Sequence, residues 1–261
     1  MTQARDTAAA PPSAVRARVF VDAPLAAGAE VALDAAQTHR LRNVLRLAPG
    51  DVVALFNGRD GEWTAAIMTL AKNGSRVAVV ERRRPQRAEP DLWLLFAPVK
   101  HARIDYLAQK AAELGCSRLQ PVMTEFTMVS RVNTERLAAN ALEAAQQTGR
   151  LSVPDVMEPT TLAAALDGWN SGRRIMMCDE SGGGVPVATA LAGVERGGPW
   201  AVLIGPEGGF AARELDGLRK LPFVMPVSLG PRLLRADTAA VAALACWQAV
   251  LGDWSDATPG A

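Results

Sequence analysis

The feature that most restricts the fold lies near the C-terminus. Two short apolar runs there each break off at a glycine turn, with one helix-like stretch between them. The first reads Val202-Leu203-Ile204-Gly205-Pro206-Glu207-Gly208-Gly209-Phe210, and the second ends Val227-Ser228-Leu229-Gly230-Pro231-Arg232-Leu233-Leu234-Arg235-Ala236-Asp237-Thr238. A continuous apolar run of this length suits a strand buried on both faces, the condition met in parallel sheets. Ligands of open parallel sheets collect in the crevice beyond the carboxyl ends of the strands, and glycine lets a ligand approach the backbone. Two such turns separated by one helix (211–221) predict a single pocket floored by main-chain groups. One strand–glycine–helix junction alone is commonly structural. The pair, carrying Glu207 in one turn and Arg235, Asp237 and Thr238 in the other, points to a ligand. The spacing matches neither Gly-x-Gly-x-x-Gly nor the phosphate loop, and neither turn holds a lysine, so a nucleoside triphosphate is a poor fit.

The same texture extends backwards. Leu92–Phe96 reads as a buried strand, and 103–114 as a helix with Ile104, Leu107, Ala108, Ala111 and Leu114 on one face, closed by Gly115. A strand at 119–122, a helix at 133–148 capped by Asn133 or Thr134, and a third helix from Thr160 or Thr161 follow. The strand 174–178, a short helix from Pro186 and a terminal alanine-rich helix complete the series. Alternation of this length predicts a mostly parallel sheet covered by helices on both faces.

Upstream the pattern is different. Short alternating runs at 18–21, 52–56, 63–67 and 76–80 are separated by turn signals such as Asn57-Gly58 and Asn73-Gly74, which suit hairpins in a small antiparallel barrel. One helix is expected at 38–47, with Thr38 as N-cap. On it His39, Arg42, Asn43 and Arg46 share one face, and Leu41, Val44 and Leu45 share the other as core anchors. The charged, proline-bearing stretch from Glu81 to Pro90 marks a boundary. The organisation read from the chain is a disordered tail over 1–15, a barrel over 16–84, a linker over 85–91, an α/β domain over 92–254 and a frayed end over 255–261.

Charge is divided between the halves. Residues 1–87 hold 13 Lys and Arg against 8 Asp and Glu, whereas the rest holds 15 against 19. A basic front suggests a polyanionic partner. Three scattered cysteines without a CxxC pair read as reduced thiols. With two histidines in the chain, a histidine-based metal site is not expected. No signal-peptide core and no apolar run of membrane-spanning length is present, so a cytoplasmic protein is expected.

The two C-terminal motifs, Leu203-Ile-Gly-Pro-Glu-Gly-Gly-Phe210 and Leu229-Gly-Pro-Arg-Leu-Leu-Arg-Ala-Asp-Thr-Ala239, closely resemble those of the bacterial 16S ribosomal RNA uridine-N3 methyltransferases, of the knotted SPOUT class. Supporting segments run in the same order: His39-Arg-Leu-Arg-Asn-Val-Leu-Arg46, Pro49-Gly50-Asp51, Lys100, Lys110-Ala-Ala-Glu-Leu-Gly115, Glu143-Ala-Ala-Gln146, Gly149-Arg150 and Pro154. The resemblance covers about Arg16 to Asp253. It implies a PUA-like RNA-binding barrel, a SPOUT-type parallel sheet with a C-terminal trefoil knot, and a homodimer. It further implies S-adenosylmethionine as methyl donor, no metal, and a uridine in 16S rRNA of the small subunit as target. In one place the chain departs from the family: after Pro121, where relatives read Thr-x-Arg-Ser or similar, it has Thr124-Glu125-Phe126-Thr127.

Read onto the residues, the resemblance places the donor against Leu203, Gly205, Glu207, Gly208, Gly209, Leu229, Gly230, Leu233, Leu234 and Thr238. A side chain at Gly205 is expected to fill the turn and block the ligand. Methylation of uracil N3 needs two substrates held together and a cation near O2 or O4 as the uracil anion develops. Arg235 takes that role, oriented by Asp237 or Thr238, with Arg232 as rival. Glu207 takes the proton, holds the ribose, or merely meets the helix dipole. Arg18, His39, Arg42 and Arg46, with Lys100 and Arg103 just past the linker, would grip RNA phosphates. Two other readings remain open at this stage: a SPOUT enzyme acting on ribose 2′-OH or guanine, and a non-catalytic RNA-binding assembly factor.

Overall fold

The computed structural model describes residues 14–72 and 74–255; the tail expected over 1–15 and the end expected over 255–261 lie almost wholly outside them. The chain divides into two compact units, with the boundary between Arg87 and Ala88.

The first unit is one five-stranded sheet. Its strands are β1 (Arg18–Phe20), β2 (Glu30–Leu33), β3 (Val52–Phe56), β4 (Glu62–Ala71) and β5 (Gly74–Arg84), in the order β1-β3-β4-β5-β2. Alternation along these strands sends Val19, Val31, Val53, Leu55, Ile67, Val77 and Val79 into one core. Two features refine the expected antiparallel barrel. β1 runs parallel to β3 while the other pairings are antiparallel, and among the described residues no pairing joins β1 to β2. Register shifts along β4 and β5 add the local bend and twist that bulges supply. β5 also outlasts its apolar pattern, running on through the arginines to Arg84. The reason is Glu62: its carboxylate is 2 % exposed and receives Arg18 at 2.6 Å, Arg83 at 2.8 Å and Arg84 at 2.8 Å.

The helix expected at 38–47 takes another form. An α-helix, α1 (Ala35–His39), starts at Asp34, whose side chain accepts from the Gln37 amide in a capping box. A π-helical turn follows over Arg40–Val44, with the Leu45 amide donating to the Arg40 carbonyl at 2.9 Å. Each residue advances an α-helix by about 100°, so the wider turn throws the apolar face out of phase. Leu41 stays fully buried, but Val44 is 64 % exposed and Leu45 is 37 % exposed. They are not core anchors.

The second unit is an eight-stranded sheet whose pairings are all parallel. In chain order its elements are β6 (Leu92–Phe96), α2 (His101–Glu113), β7 (Arg118–Met123), α3 (Thr134–Thr148), β8 (Asp155–Val156), β9 (Thr160–Thr161) and α4 (Leu162–Leu166). Then come β10 (Arg174–Cys178), β11 (Val185–Pro186), α5 (Val187–Leu191), β12 (Trp200–Ile204), α6 (Ala212–Arg219), β13 (Val224–Ser228) and α7 (Ala236–Val250). The strand order is β11-β13-β10-β12-β6-β7-β8, with β9 also paired to β7.

Strand alternation builds a core on each face. Leu92, Leu94, Phe96, Met176, Val202 and Ile204 pack with residues of α2, α5 and α7; Leu95, Ile175, Met177, Ala201 and Leu203 pack with Leu162 of α4 and Leu215 and Leu218 of α6. This is the sheet covered on both faces that the alternation predicts. Truncating a fully buried leucine such as Leu94 would cost about 2–5 kcal/mol. Asn133 caps α3 and Thr161 caps α4 through side-chain oxygens. Buried Gln248 ties α7 to the end of α2, donating to the Leu114 carbonyl at 2.7 Å. β12 is inserted between β6 and β10, which places the ends of β10, β12 and β13 side by side.

Candidate active site

Beyond those three strand ends lies a cavity of about 950 Å³, within the range that takes a nucleoside-sized ligand. The β12 turn supplies Gly205, Pro206, Glu207 and Gly209; the β13 turn supplies Leu229, Gly230, Arg232, Leu233, Leu234 and Arg235. The structure thus brings both glycine turns to one pocket.

The two turns are shaped by their glycines. Gly209 has φ +73, and a Cβ there would stand 2.3 Å from Glu180 Oε1, so a side chain is excluded by conformation and by space. The same Glu180 oxygen accepts from the Phe210 amide at 3.1 Å. Gly230, at φ +108, has no atom within 4 Å of a Cβ position; this is open space that a ligand can use. Gly205 is different. Its Cβ would meet the Phe210 ring at 2.8 Å, and Phe210 is 6 % exposed, so the glycine makes room for that ring and not for the ligand.

Three of the expected ligand-binding residues lie off the cavity. Leu203 is fully buried among Ile175, Met177 and Leu218; period-2 alternation turns it to the sheet face opposite Val202 and Ile204. Gly208 faces Phe126. Thr238 is exposed on α7, its amide donating to Asp237 Oδ1 at 3.0 Å. Sequence pattern also missed a third wall. Cys178, Asp179, Glu180 and Gly182, at the end of β10, line the cavity. Their signal was present: Arg174–Cys178 is another buried strand that stops at a polar, glycine-rich turn.

Charge in the pocket is mixed. Arg103 reaches in from α2 to pair with Glu207, so this arginine is a cavity residue. Arg235, the N-cap residue of α7, and Arg232 are exposed and carry no ion pair among the described residues. Asp179 is 4 % exposed and accepts from Ser181 Oγ at 2.6 Å and from Arg219 at 2.6 Å. Burial pushes its carboxyl up, but the hydrogen bonds from Ser181 and Arg219 prevail and hold it below the usual carboxylate range. Burial drives the Cys178 thiol up to about 12, which keeps it neutral and unsuited to nucleophilic work. Among the described residues no group of three or more His, Cys, Asp or Glu is placed to hold a metal ion.

A family model described as an RNA methyltransferase domain matches residues 87–248, and one described as an RNA methyltransferase PUA domain matches 33–80. The chain belongs to the RNA methyltransferase family. It is similar to ribosomal RNA small subunit methyltransferase E of Rickettsia conorii, 30% identical over 234 residues, covering 87% of this chain and 93% of the relative. The protein of the same name from Bacillus subtilis is 25% identical over 219 residues, covering 80% and 85%. Among solved structures, ribosomal RNA small subunit methyltransferase E from Neisseria gonorrhoeae, bound to S-adenosyl methionine, superposes with TM-score 0.82 at 27% identity, covering 92% of this chain and 99% of that one. A putative methyltransferase from Legionella pneumophila, in complex with the bound cofactor SAM, gives TM-score 0.80 at 27% identity, covering 90% and 98%.

As a family member the chain carries its RNA-facing candidates on both units. In the first unit His39 at the end of α1, Arg42 on the π-helical turn and Arg46 after it are exposed, and Arg46 is the one non-glycine residue at positive φ (53°) among the described residues. Arg18 does not belong with them. Its guanidinium is spent on Glu62 and lies 4.4 Å over the Phe56 ring, so it is part of the sheet's internal ion cluster. In the second unit Lys100 is exposed just before α2. No helix among the described residues is long and apolar enough to cross a membrane.

Proposed function

We propose that this RNA methyltransferase transfers the methyl group of S-adenosylmethionine to N3 of a uridine in 16S rRNA of the small ribosomal subunit. The observation that carries the reading is the cavity, built from three strand ends and roomy enough for a nucleoside with a sulfonium-bearing amino-acid chain. The residues fit that donor. Backbone groups of the two glycine turns can meet an adenine edge, Gly230 leaves the space a side chain would fill, and Glu180 and Glu207 supply negative charge for a cationic ligand. The names of the relatives, and the donor held by the neighbouring structures, support it. A C-terminal knot accords with the strand order, in which α7 leads back from β13, second from the sheet edge, to pack on α2 and β12.

When bound, S-adenosylmethionine supplies an electrophilic methyl carbon next to a sulfonium. The chain's own residues do the remainder. The cavity wall holds the two substrates in one place, the larger part of the acceleration. Arg235, unpaired and at the wall, sits where a guanidinium can face the uracil O2 or O4 as N3 gives up its proton. Glu207 is fixed by Arg103 through one oxygen, and its other oxygen carries no partner among the described residues; it can receive a ribose hydroxyl or the imide proton. The base must leave its stack to reach this wall, while Arg42 and Arg46 hold phosphates. We further infer a homodimer in the cytoplasm.

The test is methyl transfer from labelled S-adenosylmethionine to small subunits lacking the modification, read by nucleoside mass spectrometry. N3-methyluridine in 16S rRNA is expected. A 2′-O-methyl nucleoside or a methylguanine would replace the reading with another activity of the same fold, and light scattering decides the dimer.

A further inference from the structure

Two loops meet outside the cavity. One is the β12 turn. The other follows β7 and begins Thr124-Glu125-Phe126-Thr127. The second is held firmly: the Thr124 amide donates to Thr127 Oγ1 at 3.0 Å, and the Thr127 amide returns to the Thr124 carbonyl at 3.1 Å. Glu214 of α6 then joins the loops through one carboxylate. Its Oε1 accepts from the Glu125 amide at 3.0 Å and its Oε2 from the Ala211 amide at 3.0 Å. Arg213 adds an ion pair to Glu125 at 2.9 Å.

On this braced turn Phe126 stands 45 % exposed. It rests against Gly208, whose Cβ position would lie 3.4 Å from Phe126 Cβ, between the two cavity-lining residues Glu207 and Gly209. A large aromatic ring left this open forgoes nearly half of its burial energy, and the hydrogen bonds that brace the loop use none of its side-chain atoms. Neither backbone geometry nor core packing therefore requires a ring at this position. What a fixed, half-open aromatic face beside a nucleotide-sized site offers is a stacking platform. Every nucleobase has a π-face, and stacking on an aromatic side chain is the usual way unstacked RNA bases are held.

We propose that Phe126 stacks a nucleobase of the substrate RNA at the mouth of the active-site cavity, so that it positions RNA without touching the methyl donor. This rests on the RNA methyltransferase reading above. The test uses the full-length protein with Phe126→Ala, Phe126→Leu and Phe126→Trp. Three readouts are taken: KM for small subunits, affinity for S-adenosylhomocysteine by calorimetry, and binding of a fluorescein-labelled single-stranded RNA containing the methylated region. The alanine and leucine variants should each raise KM and weaken RNA binding by about tenfold, the scale of one lost base stack. The tryptophan variant should stay within about twofold of the parent, and S-adenosylhomocysteine affinity should not move. Leucine matching the parent would overturn the proposal, since an apolar plug would then suffice. So would an equal loss of S-adenosylhomocysteine affinity in the alanine variant, which would make the ring a support for the Gly208 turn. If the parent methylates nothing, the functional reading fails, and the RNA-binding comparison alone still decides the stack: equal binding by parent and alanine variant would end it.

Discussion

Arg235 is the side chain to which we assign the charge that steadies the reacting uracil. It is the first residue past the β13 turn and the N-cap residue of α7, exposed, with no carboxylate partner among the described residues. Replacement by alanine should leave unfolding temperature and S-adenosylhomocysteine affinity close to the parent values. Turnover should fall about 10²–10³-fold, the usual loss when a preorganised charge donor is removed. Unchanged turnover in single-turnover assays would pass the role to Arg232. Gly205 makes the opposite kind of prediction. The expectation that a side chain there plugs the pocket gives way to a packing effect, because the added Cβ meets the Phe210 ring at 2.8 Å. Gly205→Ala should cost about 1–3 kcal/mol of stability, the range for overpacking. Combining it with Phe210→Leu should recover part of that loss in a thermal-unfolding double-mutant cycle. At this scale the sequence was readable where the backbone itself lines the cavity, as at Gly209 and Gly230. It was not readable where a side chain's direction matters. Leu203 turned into the core by strand parity, and Arg103 reached Glu207 because β6, which leads into α2, pairs with β12, a juxtaposition no linear pattern carries.

At the scale of elements, the parallel sheet was legible because its strands are continuous apolar runs and its helices carry long periodic faces and caps. The first unit was harder, since two of its devices break periodicity. The π-helical turn at Arg40–Val44 shifts the phase of the helix and exposes Val44 and Leu45. The extension of β5 to Arg84 depends on a long-range partner, Glu62, and the arginine-rich stretch reads as a linker only until that partner is known. Glu62 gives a stability prediction. Burial pushes its carboxyl up, but hydrogen bonds from Arg84 and Arg18 outweigh this and hold it below the ordinary glutamate value of 4.5. A group with a depressed folded-state pKa stabilises above its unfolded value, and that contribution is lost as pH falls through the folded one. Glu62→Gln should therefore destabilise by about 3 kcal/mol at pH 7, leaving buried arginine charge unmatched. The difference from the parent should shrink as pH drops below 4.5, measured as urea midpoints across a pH series. A gap that stays constant down to pH 3 would deny the ion cluster its place in holding β4 and β5.

For the whole molecule, the net charge of +1 conceals a division: +5 over residues 1–87 and −4 over the remainder. A chain so nearly neutral cannot draw RNA by bulk charge; attraction has to be local, and salt screens anything beyond about 8–10 Å. The basic excess of the first unit is itself partly neutralised inside, because Arg18, Arg83 and Arg84 all converge on Glu62. Of the exposed cations that remain in this unit, we assign the phosphate contacts to Arg42 on the π-helical turn and Arg46 just after it. The double variant Arg42→Ala/Arg46→Ala should raise KM for RNA while S-adenosylhomocysteine affinity holds steady, since neither residue belongs to the unit that carries the cavity. Each lost phosphate contact lowers the slope of log affinity against log salt by roughly 0.7–0.9. The pair should therefore flatten the slope by roughly 1.5, measured by titrating labelled RNA between low and physiological salt. A Phe126→Ala variant in the same titration should lose affinity with its slope intact, because stacking releases no counterions. Parallel losses of slope in both variants would mean that the ring and the arginines grip the RNA through one shared set of phosphates, and the division between a charged grip and an aromatic platform would have to be abandoned.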